Sequence, residues 1–426
     1  MRVFLSLCAV ISLCTACSDN SSAPDPSTGG QSGSGGQGQG GNVAGGSGGT
    51  TSTTAGTGGT AVSTGGSGGS SGSSAGTGGS GGGSAPSETR TYVYLGSGSW
   101  DGQGGGKLMV YAFDEETAAL SFVQDLPAGD LNSFGAIDSL NKRLYATDEV
   151  AAKARAYTIN AADGTLGFVN EVDTSDGAVF STLDATGKYL LVAYYGAGGV
   201  EVYAVNADGS LGASVDSEST GSMAHSISLS PDNKFAFVPN KGSNYVSQFT
   251  FDASSGALTA NTPATVPGGG DGPRHMAFHP GGLHAYLLNE TDSGLTTFSV
   301  SNTAGTMTSM GSVPNAESVA GSASSDIHVT ADGKFVYASN REDEHTIAMY
   351  SIGADGALTL LGREPSHGMT PRNFAIHPTS NVLLVGNQES NNVATFRIQA
   401  DGRLQFIETT DVGAPVFWVG LALLPE

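Results

Sequence analysis

Cysteine is absent from everything after residue 17, because all three cysteines lie in the first 17 positions. The rest of the chain can form no disulfide framework and no cysteine metal site, so its fold must be held by packing alone. Cationic residues are also scarce. Lys and Arg total 17 against 39 Asp and Glu, a formal net charge of −22. Sequence-independent nucleic-acid binding needs a basic surface, so no nucleic-acid partner is expected. The acidic residues form no long runs and read as solubilising charge, against which a locally cationic pocket would stand out. Residues 18–86 contain no Phe, Tyr, Trp, Leu or Ile and are dominated by Gly, Ser, Thr and Ala. Such a segment buries no apolar surface and cannot offset its backbone entropy. Residues 17–86 are therefore read as a disordered tether with a mean reach of roughly 45 Å.

What stands before that tether has the pattern of an address. Met1-Arg2 is a short basic start, Val3 to Leu13 is an apolar run too short to span a bilayer, and Thr15-Ala16 precede Cys17. Residues 1–16 resemble a bacterial lipoprotein signal, although Cys14 stands where the lipobox usually has Leu. The resemblance implies lipidation at Cys17 and an exported, membrane-anchored protein of the cell envelope, periplasmic or on the surface. Cleavage without lipidation, giving a soluble secreted protein, is the alternative.

From residue 87 to 426 the sequence repeats. The segments KLMVYAFDEETAAL, KARAYTINAADGTL, GVEVYAVNADGSL, YVSQFTFDASSGAL, GLTTFSVSNTAGTM, TIAMYSIGADGAL and NVATFRIQADGRL share one pattern. Their aromatic anchors are Tyr111, Tyr157, Tyr203, Phe249, Phe298, Tyr350 and Phe396. A period near 46 residues marks a repeat architecture. Alternation with period two and Asp-Gly turns make the units strands joined by hairpins. Four strands in each repeat is the size of a propeller blade. The expected fold is all-β, a seven-bladed β-propeller with four antiparallel strands per blade. The phase adds a detail. Thr91 to Leu95 aligns with a second strand and Val416 to Leu423 with a first, so the two ends of the repeat region should complete one blade. Such closure removes open sheet edges.

Residues shared by the repeats are structural candidates. Asn240, Asn289, Asn340 and Asn387 end second strands, and His279 and His377 sit in His-Pro turns. Other residues break the repeat. His225, Arg274 and Arg372 open first strands, Glu290 and Arg341 follow second-strand asparagines, and His328 lies inside a first strand. In an antiparallel blade the start of the first strand and the end of the second share a face. His225, Arg274, Glu290, Arg341 and Arg372 should then converge on one mouth of the central channel. Three arginines and a histidine there would attract an anion. A carboxylate among them could stay ionised and act on water. Blade-to-blade salt bridges are the plain alternative.

The runs GPRHMAFHPGGLHAYLLNE, SDIHVTADGKFVYASNRE and MTPRNFAIHPTSNVLLVGNQESNNVATFRI resemble the seven-bladed propeller lactonases, the family of 6-phosphogluconolactonase and carboxy-cis,cis-muconate lactonizing enzyme. The resemblance implies a catalytic set of His225, Arg274, Glu290 and Arg341; Arg372 and His328, singled out by the repeats, are the further substrate-binding candidates. It implies metal-independent opening of a sugar or carboxylated lactone by a monomer without a cofactor. Either Glu290 or His225 would deprotonate water, with Arg274 and Arg341 on the anionic groups. Where the family pattern leads one to expect Asp, this chain has Asn240 followed by Lys241. Two other functions stay open: a non-catalytic surface propeller binding a protein or glycan, for which SPDNKFAFVPNKGSNYVSQF resembles surface-layer repeats, and muconate-type cycloisomerisation.

Overall fold

The computed structural model describes residues 89–318 and 323–425. The signal-like segment, the tether and Cys17 lie outside them. The described residues form seven four-stranded antiparallel sheets and no helix. Each sheet is one blade of a seven-bladed β-propeller. The closing blade takes its innermost strand, Trp418–Pro425, from the end of the repeat region, followed by Thr89–Ser97, Lys107–Phe113 and Leu120–Pro127. Thr91 pairs with Leu423 and Leu95 with Val419, so the two ends are joined along a full ladder.

The seven aromatic anchors have a structural counterpart. In every blade the ladder between the third and fourth strands shifts register at the anchor. A bulge of this kind adds twist and bends the strand. All seven anchor rings are at most 5% exposed and pack into the apolar layers between blades. The turns that follow, Asp-Gly in four of the blades, bring the chain back for the outermost strand.

A second set of shifts positions the functional residues. Near the head of five innermost strands the ladder slips by one, between Asn132 and Phe134, Ala178 and Phe180, Pro273 and His275, Ser324 and Ile327, and Pro371 and Asn373. The extra residue is Ser133, Val179, Arg274 and Arg372 in four of these, and Ser325 precedes the resumed pairing in the fifth. His225 holds the same place in its blade, between the Ala224–Asn240 bridge and the Ser228–Phe237 pair. Phe417, beside the Trp418–Gly96 pair, holds it in the closing blade. His225 was expected to open a regular first strand. That strand covers only Ser228–Leu229, although the His225 amide still donates to the Pro239 carbonyl at 2.9 Å.

Serine hydroxyls tie neighbouring inner strands together: Ser226 donates to the Arg274 carbonyl at 2.7 Å and Ser325 to that of Arg372 at 2.6 Å. The second-strand asparagines Asn240, Asn289, Asn340 and Asn387 are wholly buried. Asn240 donates to the Val238 carbonyl and Asn387 to that of Ser366, the loop-bonding role the repeats suggested. His279 and His377 accept backbone amides of their own turns, from Gly281 and from Thr379 and Ser380.

Candidate active site at the channel mouth

Two tiers of side chains meet at one end of the channel. The upper tier follows the ends of the second strands: Glu149, Tyr195, Lys241, Glu290 and Arg341. The lower tier is the set of inner-strand positions just described. Together with Trp100 from the glycine-rich loop of the closing blade, they line a pocket of about 200 Å³ whose lower wall is Val179, His225, Arg274 and Arg372.

Glu290 is its electrostatic centre. Oε2 accepts from Arg274 Nη1 at 2.8 Å, and Oε1 accepts from Arg341 Nη2 at 2.7 Å and faces Lys241 Nζ at 3.1 Å. The two arginines, placed by sequence phase on one face, thus meet on one carboxylate. Burial alone would raise the Glu290 carboxyl, but Arg274, Arg341 and Lys241 outweigh it and hold the group far below the usual carboxylate range. A carboxylate so held is a weak base. Glu290 was expected, as one of two candidates, to take the proton from water; here both its oxygens are engaged by cations. Its geometry suits holding the arginines in place.

His225 is 3% exposed. Its Nε2 lies 2.6 Å from Arg274 Nη1, and because a guanidinium only donates, Nε2 is the acceptor. The ring proton of the neutral imidazole therefore sits on Nδ1, which is buried without a hydrogen-bond partner. Burial, then Arg274 and His275, push this histidine well below its ordinary value. With its one lone pair engaged, His225 holds the Arg274 guanidinium in place.

Arg372 differs from the other two arginines. Among the described residues it has no carboxylate within ion-pair distance. Its guanidinium lies 5.1 Å from the ring centres of both Trp100 and Phe417 and touches Gln388 at 3.4 Å. Burial, then Arg274 and Arg341, lower it to about 9, and it remains a cation at neutral pH. On a chain of net charge −22, Lys241, Arg274, Arg341 and Arg372 outnumber Glu149 and Glu290 at this mouth. The pocket is locally cationic, with one cation uncommitted.

The family model for the seven-bladed β-propeller lactonases matches residues 92–420. The chain belongs to that family. Within it, the 6-phosphogluconolactonase of Formosa agariphila is 39% identical over 171 residues, 38% of this chain and 48% of the relative. That of Bacillus subtilis is 33% identical over 168 residues, 38% of this chain and 47% of the relative. The chain spans about half the length of the curated relatives it matches. Among solved structures, the periplasmic gluconolactonase of Pseudomonas aeruginosa matches with a TM-score of 0.71 at 26% identity, over 79% of this chain and 100% of that one.

The mouth of this lactonase-family propeller gathers five of the six expected residues: His225, Arg274, Glu290, Arg341 and Arg372. His328 is not among them. It lies further along its strand, where its Nε2 bonds Asp326 Oδ2 at 3.0 Å and its ring stands edge-on to Phe374. Sequence reasoning missed Lys241, Tyr195, Glu149 and Trp100. The first three directly follow the second-strand ends, the position that also carries Glu290 and Arg341, and that shared offset was the available signal. It also passed over His275 and Asp326, each one residue beyond a lower-tier position.

Proposed function

We propose that this propeller hydrolyses a lactone bearing an anionic group, and does so without a metal. The carrying observation is Arg372, a cation on the pocket wall with no carboxylate partner, beside two arginines fixed by Glu290. In this reading Arg372 receives the substrate's anionic group. Arg274, its Nη1 held between His225 Nε2 and Glu290 on the pocket wall, stabilises the oxyanion that forms when water attacks. A guanidinium held in place before the reaction needs no reorganisation as that charge develops. The 6-phosphogluconolactonase relatives and the gluconolactonase neighbour support a sugar lactone as the substrate class. The neighbour's periplasmic setting and the lipoprotein-like start support an exported location, with Cys17 as the anchor point. An export address favours a sugar or carboxylated lactone over a phosphorylated intermediate of the cytosol.

The test is a panel of neutral, carboxylated and phosphorylated lactones, assayed by acid release with and without chelator. Turnover that favours the anionic lactones and survives chelation is the expected result. Loss of activity on chelation overturns the metal-free chemistry. Absence of turnover across the panel overturns the enzyme reading and leaves a binding propeller.

A further inference from the structure

Glu290 and His225, the two bases the sequence suggested, are both committed to Arg274. Hydrolysis still requires a group that takes a proton from water. Below the mouth pocket, and sharing Val179, His225, Arg274 and Arg372 with it, lies a second space of about 10 Å³, close to the volume one water needs. Its walls include His275 and Asn373.

His275 is the one group on those walls with the features of an oriented base. Its Nδ1 lies 2.8 Å from Oδ1 of Asp326, a carboxylate from the neighbouring blade. Asp326 is itself 2% exposed and fixed by four partners: His275, His328, the Asn373 amide at 2.6 Å and the Phe374 backbone N–H at 3.1 Å. Burial alone would raise the Asp326 carboxyl, but His328 and His275 hold it far below the usual range, so it stays ionised. An ionised Asp326 draws the His275 proton to Nδ1 and leaves the Nε2 lone pair free. Among the described residues no other group hydrogen-bonds the ring. Phe134, Phe180 and His225 pack around it edge-to-face at 5.7, 5.2 and 5.4 Å and fix its plane. Glu149 is the competing carboxylate on the pocket wall, with Oε2 buried and unpartnered. Among the described residues no side chain hydrogen-bonds it, and it lines the upper pocket and not the water-sized space.

We propose that His275, oriented by Asp326, is the general base that activates the hydrolytic water. The proposal rests on the lactone-hydrolysis reading above. Water in the small space gives one proton to His275 Nε2 as its oxygen bonds to the lactone carbonyl carbon. The carbonyl electron pair moves to its oxygen. Collapse restores the carbonyl and breaks the bond to the ring oxygen, which leaves with the proton from His275 Nε2. The product is the open hydroxy acid, and His275 is neutral again. Asp326 touches no reacting atom and is a positioning residue. An anion on Arg372 also screens the cations around His275. Those facing it are Arg274 on its own strand and Arg372 across the channel, with His225 and His328 as further titratable neighbours.

Three variants test the proposal on the full chain: H275Q, D326N and H279Q, the last a turn histidine outside the pocket. Wild type is first shown to open a lactone; if it opens none, the hydrolysis reading fails and this proposal with it. With wild type active, H275Q is expected to lower kcat by about 10²- to 10⁴-fold at little changed KM and to remove the acid limb of the pH profile. D326N should lower kcat and move that limb, while H279Q keeps both. H275Q within about threefold of wild-type kcat overturns the proposal while leaving the hydrolysis reading intact. So does E149Q removing the acid limb that H275Q retains, which assigns the base to Glu149. If H275Q or D326N does not fold, the histidine ¹⁵N shifts of wild type decide. His275 is expected as the Nδ1–H tautomer, with Nε2 shifting when the hydroxy-acid product is added. An Nε2–H tautomer, or no response to product, overturns the proposal.

Discussion

Two rings of seven positions run around this propeller, and they could hardly differ more. The anchor ring reads Tyr, Tyr, Tyr, Phe, Phe, Tyr, Phe, and every member sits at a bulge in an otherwise regular ladder. The lower ring at the mouth reads Ser133, Val179, His225, Arg274, Ser325, Arg372 and Phe417, seven equivalent places with five side-chain types. Packing between blades imposes one requirement seven times, so the anchor ring is uniform. The channel mouth carries no such sevenfold packing requirement, and there the repeat is free to diverge. Where a repeat fold is uniform its residues answer to folding, and where equivalent positions diverge in chemistry they answer to the site.

The sharpest way to break that contrast is to remove Glu290. Glu290→Ala leaves Arg274, Arg341 and Lys241 crowded without their shared carboxylate. Breaking a buried ion pair from one side costs about 3–5 kcal/mol, so denaturant unfolding should show a loss of that order and lactone turnover should collapse with it. An unchanged unfolding midpoint would mean that Glu290 does not hold the cluster together.

Next in size is the response to acid. Burial, then Arg274 and His275, lower His225; burial lowers His377 against the pull of Glu115, and brings His275 from its ordinary 6.5 to about 4 against the pull of Asp326. The unfolded chain takes up protons below about pH 6.5 that these folded histidines refuse, so stability is full above that pH and falls as pH drops toward 4. His275 alone accounts for about 3 kcal/mol across that window. His328, raised by Asp326 against the cost of its burial, opposes the trend. Below about pH 4 the lowered carboxylates Glu290 and Asp326 add a further loss. Urea midpoints measured from neutral pH downward should fall in this order, and H275Q should flatten the first part of the fall. A flat wild-type profile above pH 4 would contradict the assignment of neutral, buried histidines.

Much of this was legible in the sequence, and the limits of legibility follow from geometry. The anchor spacing revealed blades because a uniform ring recurs in the chain at a uniform interval. Arg274 and Glu290 could be placed together because they belong to one blade, 16 residues apart across a hairpin. His275 and Asp326 were not placed together, although Glu290 and Arg341 also meet across 51 residues and two blades and were placed by strand phase. The obstacle was the bulge at Arg274. It changes which residue of the strand faces the channel, and simple alternation does not foretell that. His328 illustrates the same failure. A place inside a first strand made it a substrate-binding candidate, whereas the structure leaves it further along that strand, bonded to Asp326.

The smaller effects compare a conservative change in each ring. Arg372→Lys keeps the charge but loses the planar guanidinium that lies beside the Trp100 and Phe417 rings and can grip a carboxylate or phosphate with two donors. A charge-assisted hydrogen bond contributes about 1.5–3 kcal/mol. KM for an anionic lactone should therefore rise roughly tenfold or more, while a neutral lactone is affected far less. Tyr111→Phe is the matching change in the anchor ring. The Tyr111 hydroxyl makes no hydrogen bond among the described residues, three other blades already carry Phe at this place, and the ring's work is to fill the space beside its bulge. Near-isosteric swaps of this kind cost less than about 1.5 kcal/mol. The expected result is a small shift in the unfolding midpoint with kcat and KM unchanged. A large kinetic effect from Tyr111→Phe would erase the distinction between the rings, because a position that answers only to packing has no means of reaching a substrate at the channel mouth.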